Sequence, residues 1–504
     1  MRTTIMTLCL LTLFVLCTST AGRAEPADAS EVERLKSQVQ NLQRTVEQLQ
    51  NTIQTMQKGA AATVVQPQTE TQKKQPQIIT TPGPLESPLD QALKELGIED
   101  RSPSSTEEGL WSRRIGGANL RLLDLSFDVL FYAGTSSERD EALQTLQGGA
   151  HDPRKRGFTL GQAELGLQGA VDPYFTGHAF LITSIDPIEG ETITELEEAF
   201  LTTTSLPYGL QLEVGHFFTE FGQINPRHPH RWEWVDLPVI NSRLFGGDGQ
   251  RAPGFRSSWL TPLPWFSEVH FGMQNANGET MPSFLANDEV YEERAIGGRP
   301  FVERDVRNLK DLLYLTRWMN SWTFSDALTA LVGFSGLYGP NATGDDGDTW
   351  IYGLDMKWRW RPANNFRGWP FVVWQTEVMR RDFTADRFFD DSNPDDILTL
   401  PGRTLHDWGL YTQLLCGLRY GWAAGLRYEF AGGSGASIDG RKNDPFRADR
   451  QRVSPLLIWQ PSEFTRIRLQ YNFDHADNLG GDKVANSLWL GFEWLYGAHP
   501  AHEY

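Results

Sequence analysis

The sequence predicts an all-β transmembrane barrel of about sixteen antiparallel strands, preceded by a short α-helical coiled coil. Three observations carry this. Apolar residues recur at every second position in segment after segment, with polar and charged residues between them. The links between those segments are by turns short and long, as in barrels whose turns crowd one membrane face. An unbroken heptad series stands near the N-terminus, and no later apolar stretch is long enough to span a bilayer as a helix.

Composition narrows the function classes. The 504-residue chain has a formal charge of −18, a pI near 5.1 and a mean hydropathy of −0.41. An acidic chain lacks the basic face that phosphate backbones require, so no nucleic acid is expected as a partner. Aromatic residues make up 12 %, including 17 Trp, which is high for a soluble protein. Membrane barrels concentrate such residues in girdles at the two interfaces.

Residues 1–24 read as a secretory signal: Arg2, an apolar run from Ile5 to Cys17, then small residues ending at Ala24, with Ala21 as the alternative cleavage point. Of the three cysteines, Cys9 and Cys17 leave with this segment and Cys416 remains, so the mature chain has no internal disulfide. Residues 30–58 form the coiled coil. Val32, Leu35, Val39, Leu42, Val46, Leu49, Ile53 and Met56 follow spacings of 3, 4, 3, 4, 3, 4 and 3, and Ser30 with Glu33 can cap the start. So apolar a seam demands a partner helix; the pattern alone does not separate dimer from trimer. Residues 59–110, rich in Pro, Gln and Thr, read as a periplasmic linker.

The barrel occupies residues 111–504. Expected strands cover 118–133, 157–171, 174–185, 193–204, 209–218, 251–261, 265–276, 310–322, 326–338, 349–361, 369–381, 405–415, 420–431, 450–461, 463–474 and 484–497. The last is typical: Leu488, Leu490, Phe492, Trp494 and Tyr496 share one face, with Ser487, Trp489, Gly491 and Glu493 on the other, which is mostly small or polar. One face meets lipid and the other meets the lumen. The links at 172–173, 206–209 and 262–264 are tight, while 134–156, 219–250, 277–309, 382–404 and 432–449 are long and polar.

The segment VGHFFTEFGQIN, Val214–Asn225, resembles the Gly-x-Phe-x-x-Pro-Phe-Gly strand end of the phosphate-selective porin O and P family. Gly215, Phe217, Phe221 and Gly222 fit it. The order of signal, coiled coil, linker and barrel is similar to that family throughout. The resemblance implies a homotrimeric sixteen-stranded channel in the outer membrane of a Gram-negative cell, with the coiled coil in the periplasm. Two positions depart: His216 stands where lysine is common, and Glu220 where proline is usual. Only five lysines (Lys155, Lys310, Lys357, Lys442, Lys483) follow residue 111, so a lysine-lined phosphate path is not expected.

By parity 219–250 is the third long loop, the one that commonly folds into a porin lumen. Its Arg227, His228, His230 and Arg231, with Glu220 and Asp236, are the candidate constriction, where both signs of charge would orient polar solutes. Asp124, Asp128, Arg359, Arg361, Arg427, Glu429, Arg466 and Arg468 fall on the lumen phase of their strands, as do Glu164 and Glu377. Interior arginines require hydration or partners, so a wet lumen is expected.

The pairs His228-Pro-His230 and His499-Pro-Ala-His502 have the residue type of a metal site, but no cysteine accompanies them, and neither a metal site nor a cofactor is assigned. No nucleophile–base pair or phosphate-cradling glycine loop occurs, so no enzyme is expected. A receptor with a plug domain and about 22 strands does not fit in this length. The expected function is passive diffusion of small hydrophilic solutes or ions, with a modest anion preference set at the loop. The alternative is a structural barrel, closed by its own side chains, that anchors the coiled coil to the envelope without conducting. Expected partners are outer-membrane lipid, further copies of the chain through barrel and coiled coil, and a periplasmic or peptidoglycan contact.

Overall fold

The computed structural model describes residues 112–115, 118–121 and 123–497, apart from 393–396, 436–443 and 480–482. The signal segment, the heptads from Val32 to Met56, the 59–110 linker and the His499–His502 pair lie outside the described residues.

Sixteen strands close into one antiparallel barrel. The first eight are β1 (Asp124–Ser136), β2 (Gly157–Ala170), β3 (Phe175–Ile185), β4 (Thr192–Thr203), β5 (Leu210–Phe218), β6 (Arg251–Leu260), β7 (Phe266–Asn275) and β8 (Leu312–Ser325). The rest are β9 (Leu328–Pro340), β10 (Asp348–Trp360), β11 (Phe371–Ala385), β12 (Arg403–Arg419), β13 (Trp422–Ser434), β14 (Arg450–Ser462), β15 (Thr465–Ala476) and β16 (Val484–Gly497). Each pairs with its neighbours in sequence, and β16 closes on β1 with Leu490 opposite Ala133 and Trp494 opposite Val129. Closure leaves no unpaired strand edge, which a strand-built membrane span requires.

The start of the barrel differs from the expectation. A strand was expected over 118–133, whereas Ser112–Ile115 pairs with Ala118–Arg121 in a separate ribbon and β1 begins at Asp124. Gly116-Gly117, the sequence between these two strands, is of a kind that two-residue hairpins favour.

The side-chain period of two decides what faces outward. On β16, Leu488, Leu490, Phe492 and Trp494 are exposed while Ser487, Trp489 and Glu493 are buried. Near the short turns the outer surface turns aromatic, with Tyr174, Tyr208, Trp259, Trp265, Trp360, Tyr420, Trp459 and Tyr496 exposed. Such a ring suits a membrane interface. The turns below it are tight: Asp172 Oδ1 accepts from the backbone N–H groups of Tyr174 and Phe175 at 2.7 and 2.9 Å, an Asx turn.

At the opposite end lie all the long loops, and 219–250 does not stay there. It runs inside the barrel, carrying the helix α1 (Val239–Phe245), whose seven residues are all buried. Phe221, Leu237, Ile240, Leu244 and Phe245 pack on Leu313 and Leu315 of β8, Leu337 of β9, Ile351 of β10 and Met379 of β11. Trp234 packs on Phe371, Leu415, Leu456 and Ile458 of β11, β12 and β14. At roughly 1.5–3 kcal/mol for each fully buried large apolar side chain, this core fixes the loop in the lumen.

Candidate functional site

The loop leaves the barrel wall at Gly222, where φ is +67°. A Cβ there would collide with the Glu377 carboxylate on β11, so only glycine allows this close approach. Beyond it, Gln223 reaches across the lumen: its N–H donates to Glu377 Oε1 at 3.0 Å, and its side chain donates to Asp355 on β10. Asp355 in turn pairs with the buried Arg317 of β8 at 2.8 Å.

Asp236 holds the far side. It is 0 % exposed and accepts hydrogen bonds from Arg427 of β13, Arg452 of β14 at 2.7 Å, Gln470 and Asn472 of β15 at 2.8 and 2.7 Å, and Gln147 at 3.0 Å. Burial opposes its charge, but the Arg427 and Arg452 guanidinium groups outweigh that and hold its carboxyl below the usual range. Beside it Asp152 behaves oppositely: burial, reinforced by the charge of Asp236, pushes its carboxyl up to about 7. The interior arginines also grip the loop backbone. Arg466 donates to His230 O at 2.6 Å, Arg468 to the carbonyls of Trp232 and Trp234 at 3.1 Å each, and Arg427 to Asp236 O at 3.0 Å.

These contacts bear on two of the sequence expectations. Asp236, expected at the constriction, is a fully buried anchor, because four polar side chains of β13–β15 converge on it. Arg427, Arg466 and Arg468, expected to be hydrated or paired in a wet lumen, are 1 %, 1 % and 0 % exposed and take the paired alternative, bonded to Asp236, Glu429, Glu493 and loop carbonyls. Glu429, Asp128 and the lumen-phase residues of β10 and β1 also turn inward: Glu429 and Asp128 are buried, and Asp124, Arg359 and Arg361 are half-buried.

Between the loop and the wall formed by β1–β6 a polar cavity of about 210 Å³ remains. Glu220, His228, His230 and Arg231 of the loop line it, together with Glu164 and Gln168 of β2, Glu198 of β4 and Arg256 of β6. Arg227 lies apart, in a smaller void with His151, Trp232 and Asp248. Arg256 joins the two parts of the wall by bonding Glu213 at 2.6 Å and Glu220 at 2.7 Å. At this cavity two histidines and three glutamates cluster, with Glu164, Glu198, His228 and His230 in its lining. His228 Nδ1 lies 3.1 Å from Glu164 Oε2 and 2.7 Å from Glu197 Oε2, its Nε2 lies 2.8 Å from Glu198 Oε2, and His230 Nδ1 lies 3.2 Å from Glu164 Oε2. Burial alone would lower the affinity of both imidazoles for a proton; Glu197 and Glu164 around His228, and Glu164 and Asp128 around His230, more than reverse this and raise both. Glu197, Glu198 and Arg256 were not singled out from sequence, although "ELEEAF" carries a signal. Two successive acids at Glu197-Glu198 break the period of two, which marks a bulge.

No family model matches the chain. A protein of Aquifex aeolicus (strain VF5), described as an uncharacterized protein, is 30 % identical over 406 residues, covering 76 % of this chain and 80 % of its own length. This chain belongs to its family. Among solved structures, the outer membrane channel DcaP of Acinetobacter baumannii aligns with a TM-score of 0.47 at 10 % identity, over 74 % of this chain and 97 % of that one. OmpT of Vibrio cholerae in its trimer form aligns with 0.44 at 8 %, over 74 % and 99 %. The anion-selective porin from Comamonas acidovorans aligns with 0.41 at 10 %, over 75 % and 99 %.

Proposed function

We propose that this member of the Aquifex protein's family is an outer-membrane porin in which small hydrophilic solutes or ions diffuse through the space between the lumen loop and the β1–β6 wall. The observation that carries the reading is the distribution of polarity. The outer surface is apolar with an aromatic ring, while the space between the loop and the β1–β6 wall holds a cavity lined by both signs of charge. A barrel whose outside is lipid-compatible and whose inside is polar is the arrangement of a passive channel. Loop packing narrows the path, so the unit conductance is expected to fall well below that of an unobstructed sixteen-stranded barrel.

Recordings in planar bilayers test this. Stepwise ohmic conductance supports the channel reading. Its absence favours the second reading, a barrel closed by its loop that anchors the coiled coil, for which the apolar core around Phe221, Leu244 and Trp234 speaks.

Ion preference is proposed to lie with Arg231, which lines the cavity, rather than with Arg227, which does not. Glu164, Glu198 and Glu220 share that lining, so the anion preference is expected to be modest. Arg231→Glu should shift the reversal potential under a salt gradient toward cations, and Arg227→Glu should shift it less. Equal shifts would remove the cavity from the ion path.

The coiled coil of residues 30–58 is proposed to join three copies in the periplasm, as the resemblance to phosphate-selective porins implies. Leu42→Asp with Val46→Asp should abolish helicity of a 25–60 peptide, read by circular dichroism. A wild-type peptide that stays unfolded and monomeric at high micromolar concentration would remove this stalk.

A further inference from the structure

We propose that Glu164, His228 and His230, with Glu197 as an adjoining carboxylate, form a binding site for a divalent transition-metal ion, best matched by zinc, on the inner wall of the barrel. The site needs residues from three places: Glu164 from β2, Glu197 from β4 and both histidines from the lumen loop. The loop's Pro229 between the histidines starts a short turn, and Arg466 fixes its orientation by bonding His230 O at 2.6 Å.

The backbone of β4 is locally irregular at this point. Phe180 of β3 pairs with Glu198, whereas the next residue, Leu181, pairs with Leu196, so Glu197 is the extra residue of a β-bulge. In a regular strand Glu197 and Glu198 would point to opposite faces. The bulge turns both inward, and both are buried, at 0 % and 8 %. A bulge that re-aims a side chain in this way is a recurrent device beside functional sites.

Donor spacing fits a metal. Four ligands about 2.0–2.1 Å from a tetrahedral zinc ion stand about 3.3 Å from one another. Donor atoms of Glu164, His228 and His230 all lie within 4.8 Å of one another, with 3.1 Å from His228 Nδ1 to Glu164 Oε2 and 3.2 Å from His230 Nδ1 to Glu164 Oε2; Glu197 Oε2 lies 2.7 Å from His228 Nδ1. Imidazole nitrogen with carboxylate oxygen is a donor set suited to zinc.

A second observation points the same way. Both carboxylate oxygens of Glu197 are buried without a hydrogen bond of acceptable geometry, although Oε2 lies close to His228. Such a carboxylate requires a positive charge beside it, from a protonated His228 in the metal-free site or from a bound cation. Among the described residues, Glu164, Glu197 and Glu198 form ion pairs with the two histidines. Glu198 supplies the supporting contact. Its Oε1 accepts from Phe218 N–H at 2.9 Å, and its Oε2 takes the Nε2 side of His228 at 2.8 Å. With Nε2 held by Glu198, Nδ1 is the ring nitrogen directed at Glu164 and Glu197, where it can give up its proton and ligate an incoming ion. Carboxylates that fix a ligating histidine in this manner recur at metal sites. The adjoining cavity gives an ion access from one side.

The experiment uses the full-length protein in detergent, stripped with a chelator and titrated with zinc chloride, with bound metal counted by mass spectrometry. Wild type should bind one zinc per chain, and cobalt in its place should give the absorption of a tetrahedral nitrogen–oxygen site. H228A with H230A should abolish that binding. Glu197→Gln, nearly isosteric and with heat-modifiable gel migration intact, should weaken it at least about tenfold, and Glu198→Gln by about 10- to 100-fold. H499A with H502A should leave the stoichiometry at one. Stripped wild type that takes up no zinc overturns the site, as does undiminished binding in Glu197→Gln, or loss of the ion in H499A with H502A alone.

Discussion

Asp236→Ala should lower the stability of the barrel by about 3–5 kcal/mol and raise its conductance. Removing one member of a buried ionic cluster leaves its partners charged and unpaired, which is far costlier than the net value of the pairs themselves. Here the orphaned groups are the guanidinium ends of Arg427 and Arg452 and the amides of Gln470 and Asn472. Glu429 and Asp474 still answer the two arginines, so the barrel should close, but the loop loses its hub on β13–β15. Urea unfolding in lipid vesicles, followed by tryptophan fluorescence, reads the first effect and bilayer recording the second. An unchanged midpoint would mean that the apolar packing of Trp234 and α1 alone holds the loop.

Leu490→Arg should cost about 2–4 kcal/mol, and Tyr496→Arg about 0–1 kcal/mol, the depth dependence expected for a lipid-facing strand. Leu490 lies at the middle of β16, 46 % exposed, between Leu469 of β15 and Ala133 of β1. Tyr496 lies at the last turn of the strand, in the aromatic ring, and is 73 % exposed. Folding efficiency into vesicles measures both. Equal costs at the two positions would contradict a bilayer centred on Leu490.

The barrel was legible because period-two alternation is a local signal, repeated in every strand from Gly157 onward. It misled at 118–121, an alternating stretch that pairs with Ser112–Ile115 in a ribbon ahead of β1. The inward course of 219–250 could be anticipated from parity and from its Trp and Leu content. The role of Asp236 could not, because each of its strand partners lies about two hundred residues away in sequence and no local pattern joins them. The histidines were visible as a pair, but the carboxylates that meet them come from β2 and from a bulge in β4. Only the slip in alternation at Glu197-Glu198 announced that two acids would share one face.

The separations inside the Asp236 cluster have a kinetic consequence. Asp236 stands 191 residues from Arg427, 216 from Arg452, 234 from Gln470 and 236 from Asn472. Contacts of such long range form late, after the entropy of ordering the intervening chain has been met. The loop therefore cannot be seated until β13–β15 have been delivered, and β1 cannot be closed until β16 has followed them. Until then the interior carboxylates and guanidinium groups stay in water and the sheet keeps two open edges. Assembly of this barrel is thus expected to be cooperative at its end rather than its beginning, with the insertion of the lumen loop and the joining of first to last strand completing it together.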